Sequence, residues 1–552
     1  METKDYIVFL CYFVIVAGYG LYIYYKKKSA SGDSKDYFLA EGSLTWWAIG
    51  ASLIASNISA EQFIGMSGSG FKIGLAIATY EWMAAATLIV VAVFFLPVYL
   101  KNKIFTMPQF LNVRYNGTVS MIMAVFWLLL YIVVNLTSIL FLGALAVSSI
   151  SGLDFQMCMI GLAVFAIIIT LGGMKVIGYT DVIQVFFLIL GGLATTYLAL
   201  DLVSTHFGGN GILDGFNLVH EKANDHFHMI LEPDNPNYID LPGLSVLIGG
   251  MWVINLSYWG CNQYITQRAL GADLGTARNG LLFAAVLKLL MPLIVVLPGI
   301  AAYVLYQDGK FQQEMLAGGE LNPDRAYPVL LSLLPTGLKG LSFAALTAAV
   351  VASLAGKANS VATIFSLDIY QKIFDKNASE RKLVNVGKIT IVVSMVLAII
   401  IAPHLGIDKK GGFQYIQEYT GFVSPGIFAM FLLGFFWKKT TSNAALFATI
   451  GGFLMSIVLK FLPKFMDLSF LASTGFSVPV NGVYEIPFID RVGFVFIFCL
   501  IGMYFISLFD NKRGIVPKGL EVDSTMFKTK TGFAVGALIV LGITAALYTV
   551  FW

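Results

Sequence analysis

The sequence predicts an all-α membrane protein of about fourteen transmembrane helices in a single integral domain (1–552), and three observations predict it. Of its 552 residues, 58% are hydrophobic and 12% charged, with a mean hydropathy of +0.80. That apolar content exceeds what soluble globular chains carry. The apolar residues also fall in runs close to the roughly 20 needed to cross the hydrocarbon core. Finally, the basic residues gather on alternate connections, as they do on cytoplasmic loops. A formal net charge of only +3 gives no reason to expect a nucleic-acid partner.

Residues 6–25 form the first run, closed by Lys26, Lys27 and Lys28. The positive-inside rule puts these lysines in the cytoplasm and the N-terminus outside. Because the basic residues follow the apolar run, a span is expected here rather than a cleaved leader. A polar loop, 29–43, leads to Gly50–Gly70, the stretch around which the rest is organised, and 74–100 returns to Lys101 and Lys103. Further spans are expected near 118–148, 156–172, 181–203, 243–263, 279–306, 340–370, 387–404, 415–436, 443–462, 490–509 and 532–551. Loops assigned inside carry Arg114, Lys175, Arg268, Arg278, Lys372, Arg381, Lys382, Lys438, Lys439, Lys512, Arg513 and Lys518. Both termini then lie outside a cell (inner) membrane.

The outer loop 204–240 is acidic and is expected to hold a short surface helix. No connection is long enough for a separate catalytic domain, so an enzyme is not expected. The four cysteines, Cys11, Cys158, Cys261 and Cys499, lie in apolar stretches without zinc or CxxC spacing and read as reduced core residues. His226 and His228 are expected to be solvated, and neither a zinc-type centre nor an organic cofactor is expected.

Gly50–Gly70 reads GASLIASNISAEQFIGMSGSG. It is apolar enough for a bilayer, yet Asn57, Ser59, Glu61 and Gln62 fall in its middle, where unpaired polar groups cost several kcal/mol each. Ser56, Asn57 and Ser59 compete for backbone hydrogen bonds, so a local break in the helix is expected. Unwound helix centres of this kind offer carbonyls to a coupling ion in secondary transporters. Close packing accounts for Gly65, Gly68 and Gly70, but not for Glu61 beside Gln62. Asn57-Ile58-Ser59 is echoed by Asn255-Leu256-Ser257 five spans later. An odd number of spans per repeat inverts the second copy, although a tripeptide echo is short enough to arise by chance.

Other spans carry polar groups at helical spacing. Tyr80, Glu81 and Ala84 fall near one face; Asn135 interrupts VVNLTS; Asn255, Tyr258 and Trp259 are about one turn apart; Phe413 and Gln417 share a face. Lys288 sits within FAAVLKLLMPL. Amides, a carboxylate and an ammonium beside aromatic faces suit a pyranose, which needs partners for its hydroxyls and a flat surface for its C–H face. Singly, each could be a bundle-packing hydrogen bond.

At these residues the chain resembles the sodium/solute symporter family, in its sodium/sugar branch. The resemblance runs from YFLAEGSLTWWAIGASLIASNISAEQFIGMSGSG through YEWM, NLTS, GYTDVIQVFFLILGG, NQYITQRAL, LKLLMPLIVVLPGIAAYV and FQYIQEYTGFVSPG to FWKKTTS. It implies a leucine-transporter-type core of two inverted five-helix repeats, 44–203 and 242–436. An extra helix (1–28) precedes the core, and C-terminal helices (443–552) follow it. It implies that Gln62, Glu81, Asn135, Asn255, Lys288 and Gln417 hydrogen-bond a sugar. Tyr258 would stack on the ring as the inner gate beside Trp259, with Met66, Tyr80 and Phe413 closing from outside. For the coupling ion, Na+, it implies the carbonyls of Ala55 and Ile58 opposite Ala349 and two hydroxyl residues, with Asp181 on the inward path.

The chain departs from this pattern at three places. Ala84 replaces a serine after EWM, which bears on the sugar preferred. Ala352 replaces the first hydroxyl ligand and leaves Ser353, and Lys357 stands one turn further on. The function expected is sodium-coupled symport of a galactose- or glucose-like hexose by alternating access. The alternatives are another polar solute (an inositol, a sialic acid or another polyol), or weakly sodium-dependent sugar transport because of Lys357. A membrane-embedded sensor is opposed by the lack of a sizeable soluble domain, and a passive pore by the aromatic gates.

Overall fold

The long apolar runs become helices, because in hydrocarbon each backbone N–H and C=O must bond within its own segment. The computed structural model describes residues 2–26, 38, 44–104, 106–317, 319–404 and 412–552. Lys27, Lys28 and all of loop 29–43 except Phe38 lie outside the described residues. Seven helices carry or frame the buried polar residues: α1 (Thr3–Lys26), α2 (Trp46–Asn57), α3 (Thr79–Val90), α4 (Gly173–His206), α5 (Gly250–Cys261), α6 (Leu274–Gln307) and α7 (Leu338–Thr363).

Among the described residues, eleven helices are long and apolar enough to cross a membrane. A twelfth results if Phe413–Gly421 and Ser424–Phe436, bent by 51° at a short break, count as one span. This is fewer than the fourteen expected, for two reasons. Phe155–Thr170 has only 16 residues, and the organising stretch is not one continuous helix.

That stretch does break where its polar residues fall. α2 stops at Asn57, and Ile58 is extended (φ −78°, ψ 111°). The chain resumes as a π-helix over Glu61–Met66 and an α-helix over Ser67–Lys72. Side chains satisfy the groups the break releases: Gln62 Oε1 accepts from the Ser59 N–H at 3.0 Å, and Ser59 Oγ accepts from the Glu61 N–H at 3.2 Å. The glycines beyond the break allow close approach. A Cβ on Gly70 would lie 2.6 Å from the Val296 carbonyl of α6, and one on Gly65 would lie 2.9 Å from the Phe413 backbone nitrogen.

The chain forms two units. The first comprises residues 1–78, 128–228 and 286–416, and α7 is its axis. α7 packs on α1, α2, α4 and the helices Phe155–Thr170 and Glu380–Ile401. In its most apolar window 83% of residues are buried, against 22% for the α1 window, so α7 is shielded while α1 turns Ile7, Leu10, Val14 and Ile15 outward. α1 nonetheless anchors the axis. Asp5 Oδ1 accepts from the N–H groups of Gly337 (2.7 Å) and Gly340 (3.2 Å), capping α7.

The second unit comprises residues 79–127, 229–285 and 417–552. Two of the basic residues that marked cytoplasmic loops are structural here. Arg114 donates to the carbonyls of Gly434 (2.7 Å), Trp437 (2.9 Å) and Thr440 (3.0 Å). Arg278 does the same for Ala92 (3.0 Å), Lys528 (2.8 Å) and Met526 (3.0 Å). A guanidinium suits carbonyls that a helix end leaves unpaired, since it carries a fixed fork of donors and a positive charge.

Unlike the stretch it echoes, Asn255-Leu256-Ser257 leaves its helix intact: Asn255 Nδ2 bonds back to the Met251 carbonyl (3.2 Å) inside an unbroken α5. Two expectations need correction. Cys11 is exposed rather than a core residue, because α1 turns that face outward, whereas Cys158, Cys261 and Cys499 are buried; all four are free. His226 is not solvated. It is buried, stacks on Tyr303 at 4.0 Å and lies 3.2 Å from the Phe71 carbonyl, its backbone packed against Gly74 (φ +91°) where a Cβ would not fit. The outer loop does hold a short helix, Gly211–Lys222.

Candidate functional site

The break at Ile58 is where the polar groups of the first unit converge. Four backbone carbonyls at a helix C-terminus lack intrahelical partners, and they carry the negative end of the helix dipole. One of them, on Ser56, accepts from Ser353 Oγ of α7 at 3.0 Å. Ser353 in turn accepts from Lys357 Nζ at 3.0 Å. Ala55, Ile58, Ala349 and Ser353, the residues implied for sodium, are all buried, so a cation here would meet protein oxygens in place of water. Asp181 of α4 lies on the preceding turn of α2, accepting from Ser52 Oγ at 2.5 Å.

A second lysine arrives from α6. Lys288 Nζ donates to Asn57 Oδ1, the side chain of the last helical residue of α2. Beyond the break, Glu61 accepts from Ser138 Oγ at 3.0 Å. Gln62, Asn135, Met66 and Phe413 are buried in the same unit, and the Phe413 backbone packs on Gly65 beside Met66. The remaining residues implied for the sugar belong to the second unit. Glu81 and Tyr80 are buried on α3; Asn255 and Trp259 are buried on α5; Tyr258 meets Trp259 edge-on at 5.1 Å and Tyr264 at 5.7 Å; Gln417 is half-buried.

Three contacts were missed in the sequence: Asn57 with Lys288, Ser52 with Asp181, and Glu61 with Ser138. For the first there was a signal, since an ammonium within an apolar run requires a buried acceptor and Asn57 stood at the expected break.

A multi-pass helical bundle with a span broken in mid-course at buried polar residues, and two lysine ammoniums held there, has the build of ion-coupled membrane transporters. The fold agrees. A solved structure of a Na+-coupled sialic acid symporter aligns with a TM-score of 0.75 at 21% identity, covering 92% of this chain and 98% of that one. The chain belongs to the sodium:solute symporter family, to which residues 37–452 match. A sodium/glucose cotransporter of Vibrio parahaemolyticus is 47% identical over 99% of this chain and 98% of its own length. The human sodium/myo-inositol cotransporter 2 is 33% identical over 83% and 70%, respectively. The protein is therefore a multi-pass membrane transporter with Na+ as its coupling ion, and not an enzyme.

Proposed function

We propose that the protein imports a hexose together with sodium by alternating access. The observation that carries this reading is the break at Ile58, reached by Lys288 on one side and by the Ser353 hydroxyl on the other. Sodium binds between the carbonyls of Ala55, Ile58 and Ala349 and the Ser353 hydroxyl. It pins α2 to α7 and thereby orders the polar residues beyond the break. Gln62, Glu81, Asn135, Asn255, Lys288 and Gln417 bind the sugar hydroxyls. Tyr258 stacks beneath the ring beside Trp259, and Met66, Tyr80 and Phe413 close over it. Asp181 lines the ion's way inward. The broken stretch and Phe155–Thr170 complete fourteen crossings, arranged as inverted repeats over 44–203 and 242–436, in the cell (inner) membrane with both termini outside.

A 47% identical relative that bears the name sodium/glucose cotransporter supports the hexose. Ala84 in place of a serine, together with the inositol-named relative, favours a second reading in which the solute is another polyol. Uptake of radiolabelled glucose, galactose, inositol and sialic acid into proteoliposomes, with and without a sodium gradient, separates the two. Glucose or galactose should accumulate, and the protein carrying Glu81→Ala should lose that uptake while remaining monodisperse in detergent. Accumulation of inositol or sialic acid alone would replace the hexose reading, and undiminished uptake by the Glu81 variant would remove Glu81 from the site.

A further inference from the structure

We infer that Lys357 is a tethered competitor of sodium: its ammonium and the ion contend for the Ser353 hydroxyl, and the lysine sets the protein's sodium affinity. This rests on the assignment of Ser353 to sodium proposed above. A serine hydroxyl has one hydrogen and two lone pairs. Here the hydrogen goes to the Ser56 carbonyl and a Lys357 N–H occupies a lone pair, both at 3.0 Å. Ala352 provides no hydroxyl, so Ser353 is the one hydroxyl that α7 offers at these two positions. The ammonium thus reaches, through Ser353, the carbonyl end of α2 that attracts the ion.

Sodium bound to the same oxygen would sit roughly 4 to 5 Å from the ammonium, where like charges at an effective dielectric near 20 cost on the order of several hundredfold in affinity. The lysine therefore has to withdraw when sodium enters. Sodium entry and lysine withdrawal become one exchange: the cation arriving at Ser353 releases the ammonium from that hydroxyl. Lys357 acts on the ion through Ser353 and does not touch the solute.

Sodium titration of the purified full-length protein, followed by binding of radiolabelled sodium with choline as the control cation, tests this without any solute. The Lys357→Met protein should bind sodium at least tenfold more tightly than the wild type. Lys357→Arg, which keeps the charge, should stay within about threefold of it. Ser353→Ala should bind sodium more weakly. Unchanged affinity in Lys357→Met, with Ser353→Ala still weakened, would overturn the competition and leave the ion site standing. Unchanged affinity in Ser353→Ala would overturn the ion site, and the competition with it.

Discussion

Lys288 and Lys357 are equally buried, each 1% exposed, and both reach the same helix break, yet they end on different chemistry. Lys288 meets a side-chain carbonyl, Asn57 Oδ1, which can only accept. Lys357 meets a hydroxyl that passes the interaction on to the Ser56 carbonyl. A carboxamide oxygen holds the ammonium at the end of α2 and passes nothing further along. A hydroxyl instead ties the ammonium to the backbone that an ion would use. What the accepting atom can pass on, rather than depth of burial, separates the two lysines.

The largest effect should come from Lys288→Ala, which removes a lysine proposed to bind the sugar and leaves the Asn57 carbonyl without this donor. Sugar uptake is expected to fall by on the order of a hundredfold or more, because a site built to bind hydroxyls discriminates steeply. Sodium binding in the same preparation should change by less than about threefold, since Ser353 is untouched. A comparable loss of both would abolish the distinction between the lysines. Asn57→Ala should be milder: one buried acceptor lost costs about 1–3 kcal/mol, or roughly ten- to a hundredfold in the apparent Michaelis constant for the sugar. Asn57→Asp, which keeps an acceptor, should recover most of it.

The helices that carry the lysines sharpen the comparison, because each is capped by an aspartate. Asp5 caps α7 from a distant helix and is buried; Asp273 caps α6 locally, accepting from the N–H groups of Gly275 (2.9 Å) and Thr276 (3.0 Å) at an exposed turn. Asp5→Ala should lower stability by about 1–2 kcal/mol, seen as a reduced melting temperature in detergent. Asp273→Ala should cost a few tenths of a kcal/mol up to about 1, because water screens and replaces the exposed cap. The Thr276 hydroxyl and amide hold the Asp273 carboxyl below its usual range. Its contribution is therefore complete above the ordinary carboxylate pKa and disappears as pH falls through the depressed value. Equal melting shifts from the two variants would show that distance and burial do not distinguish the caps.

The break at Ile58 was legible in the sequence because its cause is local: the side chains of Ser59 and Gln62 offer the backbone other partners within a few residues. The apolar runs were legible for the same reason, whereas the span count was not, since composition does not register where a run stops being one helix. The meetings of Lys288 with Asn57 and of Ser353 with Ser56 join positions 231 and 297 residues apart, and no local pattern encodes such contacts. Arg114 and Arg278 misled for a related reason. A basic residue beside a span reads as solvated, unless one knows which helix ends come to meet it.

The aspartate cap on α7 also has a consequence for how the protein is made. Asp5 and the Gly337 amide it holds are 332 residues apart, and the unit they stabilise is assembled from three separate stretches of chain. During synthesis α1 enters the bilayer long before α7 has been translated, with its carboxylate still lacking these two amides and its outer face already among lipids. The second unit's residues 79–127 and 229–285 are inserted in the interval. The first helix is thus made well before the axis it will cap, and the first unit can close only when more than half the chain has been translated.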